Sequence, residues 1–198
     1  MSQVSKLIHK VWKANTTEVQ EMFSDVSEPR RSFSRPETPV RVLPGLIGAS
    51  SVTLTGKIAE FYACVNGGTN VVAAERWASV AEMSGDFLSV WDDVARFEYG
   101  LRGRPDDWKM TRQDWFRDHR FDFEALCDYL ELEKIEDFPT QSALVLFGYD
   151  LVELAHRKSY LYFPDARGSE PVIFSMWDHS GEPYPNITEY LERSCPVW

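Results

Sequence analysis

The chain is short of cysteine, histidine and basic residues, and it has no long apolar run. Its three cysteines, Cys64, Cys127 and Cys195, are odd in number, far apart and outside any CxxC pair or Cys/His cluster, which argues against a disulfide framework and a zinc site. Cys64 and Cys127 fall within apolar helical patterns and read as buried thiols. No stretch is apolar enough to cross a membrane, and residues 1–15 lack the apolar centre of a signal peptide, so a reducing, cytoplasmic setting is expected. The four histidines, at positions 9, 119, 156 and 179, are isolated from one another. GxSxG, GxxxxGK[ST], HExxH and GxGxxG are all missing, which removes the common signatures of hydrolases, nucleotide-binding folds and metalloproteases. Basic residues number 21 against 31 acids, for a net charge of -10. Such a chain is repelled by nucleic acid and anionic membranes and attracted to cationic surfaces.

What is present organises around Leu54 to Gly68. Apolar residues at Leu54, Ile58, Phe61, Tyr62 and Val65 recur at helical spacing, and Asn66-Gly67-Gly68 closes the run with residues that tolerate a left-handed backbone. Before it, residues 3–23 predict a helix with an inward stripe from Leu7 to Phe23, with a break expected near Asn15-Thr16-Thr17. Residues 27–44 contain four prolines and four arginines and predict a loop or an extended edge segment. Val71 to Val80 predicts one or two strands with Trp77 inward.

Residues 82–138 carry 16 acids against eight Lys and Arg, so most of the negative charge sits there. The block is also amphipathic and predicts helices over Phe87 to Ala95 and, capped by Asp122, from Phe123 to Leu130. The C-terminal third changes period. Ala143 to Phe147 predicts a strand ended by Gly148. Tyr160 to Phe163 and Val172 to Trp177 predict a hairpin turning at Asp165 to Gly168, His179 to Pro185 a loop, and Ile187 to Leu191 a helix capped by Asn186 or Thr188. Helices first and an antiparallel sheet later define an α+β class, read as one domain over residues 1–198 with an acidic helical insertion at 82–138.

In this order the elements resemble the SUKH superfamily of Smi/Knr-like domains. The likeness rests on Leu54, Ile58, Phe61 and Asn66-Gly67-Gly68, which match the helix-and-NGG hallmark. It also rests on the C-terminal unit formed by Leu144 to Gly148, Leu161 to Phe163, Pro171 to His179 and Ile187 to Leu191. Thr55 stands where the family usually has proline, and the acidic block is longer than in a typical member. These motifs are markers of fold and imply no active site. The resemblance implies a non-catalytic immunity protein that neutralises a toxin, often a nuclease, or alternatively a viral or regulatory adaptor that recruits a cellular protein.

Carboxylates beside aromatic anchors can fill a cationic cleft, which makes Asp92, Asp93, Asp106, Asp107, Trp108, Asp114 and Asp118 the candidate partner-binding residues. A solvated acidic face is the competing structural account. Asp178-His179 with Glu182 is the strongest catalytic or metal-binding candidate, although a surface turn between hairpin and helix explains it as well. The glycines at 67 and 68 end a helix, where the dipole disfavours phosphate. No catalytic residue, metal or cofactor is therefore expected. The expected partner is a protein with a basic surface.

Overall fold

The computed structural model describes residues 1–22, 36–70, 75–80, 83, 124–150, 157–177 and 180–194, side chains at 15–22, 69, 149, 150, 157, 177, 180 and 194 excepted. Its elements run α1 (Gln3–Met22), β1 (Val42–Pro44), β2 (Ile47–Gly48), β3 (Ser51–Thr53), α2 (Gly56–Cys64), β4 (Gly68–Asn70) and β5 (Glu75–Trp77). They continue as α3 (Glu124–Leu130), a single 3-10 turn at Ile135–Asp137, β6 (Ala143–Asp150), β7 (Arg157–Phe163), β8 (Val172–Trp177), β9 (Ser180–Tyr184) and α4 (Ile187–Ser194). The class is α+β.

The main sheet is antiparallel throughout, in the order β4-β5-β6-β7-β8-β9, and β2 shares one edge of β6 with β5. Strand alternation divides its side chains between two layers. Ala143, Val145, Phe147, Leu161, Phe163 and Ile173 face a core shared with α1, α2 and α4. Leu144, Leu146, Tyr160, Phe174 and Met176 face the opposite side, where α3 and the 3-10 turn bring Leu126 and Phe138. Both faces are covered, which is why β6 reads as a continuous apolar run rather than an alternating one.

Helix α2 follows its sequence pattern: Ile58, Phe61 and Tyr62 are buried, as are Leu54 before it and Val65 after it. Phe61 sits edge-on to Trp77 with centroids 5.2 Å apart and meets Phe147 at 5.5 Å. The helix closes differently from the expectation. Val65, in extended conformation, donates its N–H to the Phe61 carbonyl, so no left-handed residue is needed there. The glycines serve a close approach instead. Gly67 has φ 82°, and a Cβ at that position would come within 2.9 Å of the Ser79 backbone nitrogen. Asn66 spans the same junction, its Oδ1 accepting the Val80 N–H at 2.9 Å. At the other end, the Glu170 carboxylate from the β7–β8 loop accepts the Lys57 N–H, a negative group at the positive end of the helix.

Three further expectations are corrected and one alternative is decided. Helix α1 is continuous through Asn15-Thr16-Thr17, because Thr in a helix costs only tenths of a kcal/mol, about 0.7 at most. The end of the proline-rich segment, Val42–Pro44, is a strand pairing Leu43 with Val52, which realises the edge-segment alternative. Gly148 does not end β6; it lies at a bulge, beyond which the strand runs on to Asp150. The loop expected from His179 to Pro185 is strand β9, in which Pro183 pairs with Phe174. A sheet edge tolerates proline because that strand has one side without a hydrogen-bonded neighbour.

Candidate functional site

The bulge at Gly148 builds the most unusual feature of the interior. Phe147 and Gly148 together oppose Ser159, so the glycine joins the face covered by α2 and α4. A continuous row then crosses five strands at Trp77, Gly148, Ser159, Ser175 and Glu182. The room left by the absent side chain is taken by Glu75, whose Oε1 lies 2.7 Å from where a Cβ on Gly148 would stand.

Glu75 is wholly buried. A carboxylate out of water is costly unless donors compensate it, and here two come from opposite directions. Trp77 donates its indole N–H to Oε2 at 3.1 Å along the same strand, and Tyr190 donates its hydroxyl to the same oxygen from α4. Helix α4 is capped by Asn186, whose Oδ1 accepts the N–H groups of Thr188 and Glu189 at 3.0 and 3.3 Å. That cap fixes where the helix starts and hence where Tyr190 points. The arrangement is a clasp between helix and sheet.

Tyr62 is a second buried polar group, and its hydroxyl finds no partner among the described residues. Burial pushes its phenol well above the ordinary tyrosine range. Tyr62→Phe is expected to stabilise the protein by about 1 kcal/mol at neutral pH, since the hydroxyl is desolvated without return. A folded-state pKa above the unfolded value leaves stability intact below about pH 10. Above that, the unfolded chain ionises first and stability falls by about 1.4 kcal/mol per pH unit. Urea melts of wild type and Tyr62→Phe at pH 7 and above pH 10 check both effects, the variant losing this contribution to the alkaline decline.

The outer layer of the sheet carries the charge. Between residues 124 and 137 six acids, Glu124, Asp128, Glu131, Glu133, Glu136 and Asp137, are exposed against one exposed base, Lys134. Their inward neighbours Leu126, Phe138 and Ile135 pin the helix and turn to the sheet. Tyr129 stands among them 49% exposed, its ring edge-on to Phe174 at 4.7 Å. The carboxylates converge electrically on Cys127, whose thiol is raised first by burial and then by Asp128, Glu136, Asp137 and Glu124. A thiol so placed is a poor nucleophile.

Glu182 accepts the Tyr184 hydroxyl at 2.8 Å and pairs with Arg193 at 2.8 Å, both ends of the ion pair being more than half exposed. Its proposed companions Asp178 and His179 lie outside the described residues. The same holds for Asp92, Asp93, Asp106, Asp107, Trp108, Asp114 and Asp118, and for His119 and His156. His9 is exposed on α1, stacked on Trp12 at 5.6 Å. Leu54, Phe61, Asn66, Gly67 and Gly68 are brought together as core and turn. Among the described residues no three His, Cys, Asp or Glu side chains form a metal-binding group, and no helix is long and apolar enough to cross a membrane. Glu75 was not singled out by sequence reasoning, although its place two residues before the inward Trp77 puts it on the same strand face. Comparison with protein-family models, curated proteins and solved structures gives no match.

Proposed function

We propose that this chain is a non-catalytic immunity or inhibitor protein that captures a toxin with a basic surface, a nuclease being one such toxin, and occludes it. The observation that carries the reading is the exposed acidic face around Tyr129, on a layer packed against the sheet through Leu126 and Phe138. Carboxylates spaced along a helix and turn complement a cleft built to receive phosphates. An exposed aromatic among them supplies the desolvated contact that electrostatics alone lacks. The clasp at Glu75 fits this reading as scaffold: it fastens α4 and leaves the acidic layer to present charge.

Recovery of the partner from the native host and identification by mass spectrometry provides the reagent for the test. Reversing Asp128 and Glu131 to Lys is expected to slow association with that partner about tenfold at low salt and to flatten its dependence on ionic strength. An on-rate that ignores both substitutions would place the binding surface elsewhere.

A further inference from the structure

Charge is distributed with a second asymmetry. Residues 1–14 contain Lys6, Lys10 and Lys13 and no acid, in a chain whose net charge is -10. Val4, Leu7, Ile8 and Val11 bury the other side of α1 against the core. Lys6, His9, Lys10 and Lys13 are thereby left exposed, with Trp12 37% exposed and stacked on His9. Helix α1 belongs to one layer of the sheet and α3 to the other. The first half of α1 therefore presents a basic strip on one layer, with Glu18 and Glu21 following in its second half, and α3 with its turn presents an acidic strip on the other; each strip carries one of the two aromatics, Trp12 and Tyr129, that rank among the exposed large apolar side chains of the described residues.

We infer that the α1 face of one copy docks on the α3 face of a second copy of this chain, head to tail. The two faces complement each other in sign, Lys6 and Lys10 opposing Asp128 and Glu131. Each is centred on a helix, and Trp12 and Tyr129 give the contact an apolar centre that water leaves on docking. Because the surfaces differ, the interface is heterologous. A dimer leaves one face of each kind free, and the assembly grows as an open chain. A polyanion suits α1 less well, since its charge would extend past the rest of an acidic molecule, whereas a second copy offers a compact patch. The repulsion between two chains of net negative charge acts over a longer range than the contact and is cut down at about 0.1 M salt, where the Debye length is about 10 Å. Docking at α3 covers the face assigned above to the toxin, so self-association and capture exclude each other at that surface. The inference does not depend on the toxin reading.

Sedimentation velocity on the full chain tests it. At about 0.1 M salt the sedimentation coefficient of the wild type should rise with concentration, and at about 1 M, where the Debye length is about 3 Å, the rise should vanish. Lys6→Gln with Lys10→Gln, and separately Asp128→Asn with Glu131→Gln, should each weaken self-association about tenfold, as two modest ion pairs would. An equimolar mixture of the two variants keeps one intact face of each kind and should form a mixed dimer that grows no further. A wild type that stays monomeric, variants that associate as it does, or a mixture that fails to pair would overturn the inference. So would wild type that remains monomeric yet binds phosphatidylserine vesicles or a single-stranded RNA through Lys6 and Lys10. Neither lysine lies on the acidic face, so loss of self-association in Lys6→Gln/Lys10→Gln is separable from loss of toxin binding.

Discussion

Glu75→Ala is expected to destabilise the protein by about 3–5 kcal/mol. Two terms compete. Removing a buried carboxylate relieves its desolvation, which by itself favours the variant. Against that, the Trp77 indole N–H and the Tyr190 hydroxyl lose the oxygen they share. Each donor left buried without an acceptor costs about 1–3 kcal/mol, and the space vacated beside Gly148 adds a cavity term. The losses outweigh the relief because both donors are fixed, one by the strand and one by the capped helix. Tyr190→Phe, which removes one donor and keeps its shape, should cost about 1–3 kcal/mol, the range for leaving a buried acceptor short of its donor. Urea denaturation of the three proteins at pH 7 measures this. A Glu75→Met variant as stable as wild type would show that desolvation cancels whatever the hydrogen bonds contribute, and the clasp would then have no energetic role.

Phe61→Ala is expected to cost about 3–5 kcal/mol by the same measurement, through lost packing. The ring is 1% exposed and lies between Tyr62, Trp77 and Phe147, with centroids 5.2 to 5.5 Å away. Neighbours this large and this constrained cannot collapse into the hole. Trp77 is held by Glu75 and Phe147 by the bulge, so the cavity persists and the cost falls toward the upper end. In a chain of this size the loss lowers Tm by about 10–15 °C. Tyr129→Ala on the acidic face serves as the contrast, with about 1 kcal/mol or less expected where a side chain is half exposed. A Phe61→Ala melt within a few degrees of wild type would mean that α2 packs less tightly than its burial indicates.

The sequence was informative where physics is local. The spacing of Ile58, Phe61 and Tyr62 specifies the buried face of α2 on its own, and Asn186 announces its cap because its side chain reaches the N–H groups two and three residues on. The hairpin of β7 and β8 is legible from its β-branched and aromatic alternation and the Asp165 turn. Features set by distant partners were not. Pro183 and Gly181 disguise β9 because only the neighbouring β8 gives that segment its conformation. The bulge at Gly148 depends on Glu75, some seventy residues earlier, needing its space. The net charge of residues 82–138 was visible as a sum. Which acids stand on an exposed face required the burial of Leu126 and Phe138 to orient α3 and its turn. Of the candidate partner residues, all seven lie outside the described residues, and the acidic face that is described is built from their neighbours in sequence.

The Tyr190–Glu75 contact joins residues 115 positions apart. A ribosome adding about 5–20 residues per second makes Glu75 about 6–23 s before it makes Tyr190. During that interval the strand bearing the carboxylate has α2 beside it but not α4, and the aromatic cluster around Trp77 stays open on one side. The nascent polypeptide must wait for its own distal segment before the interior can close. A premature stop ahead of codon 190 would release a product unable to complete its fold.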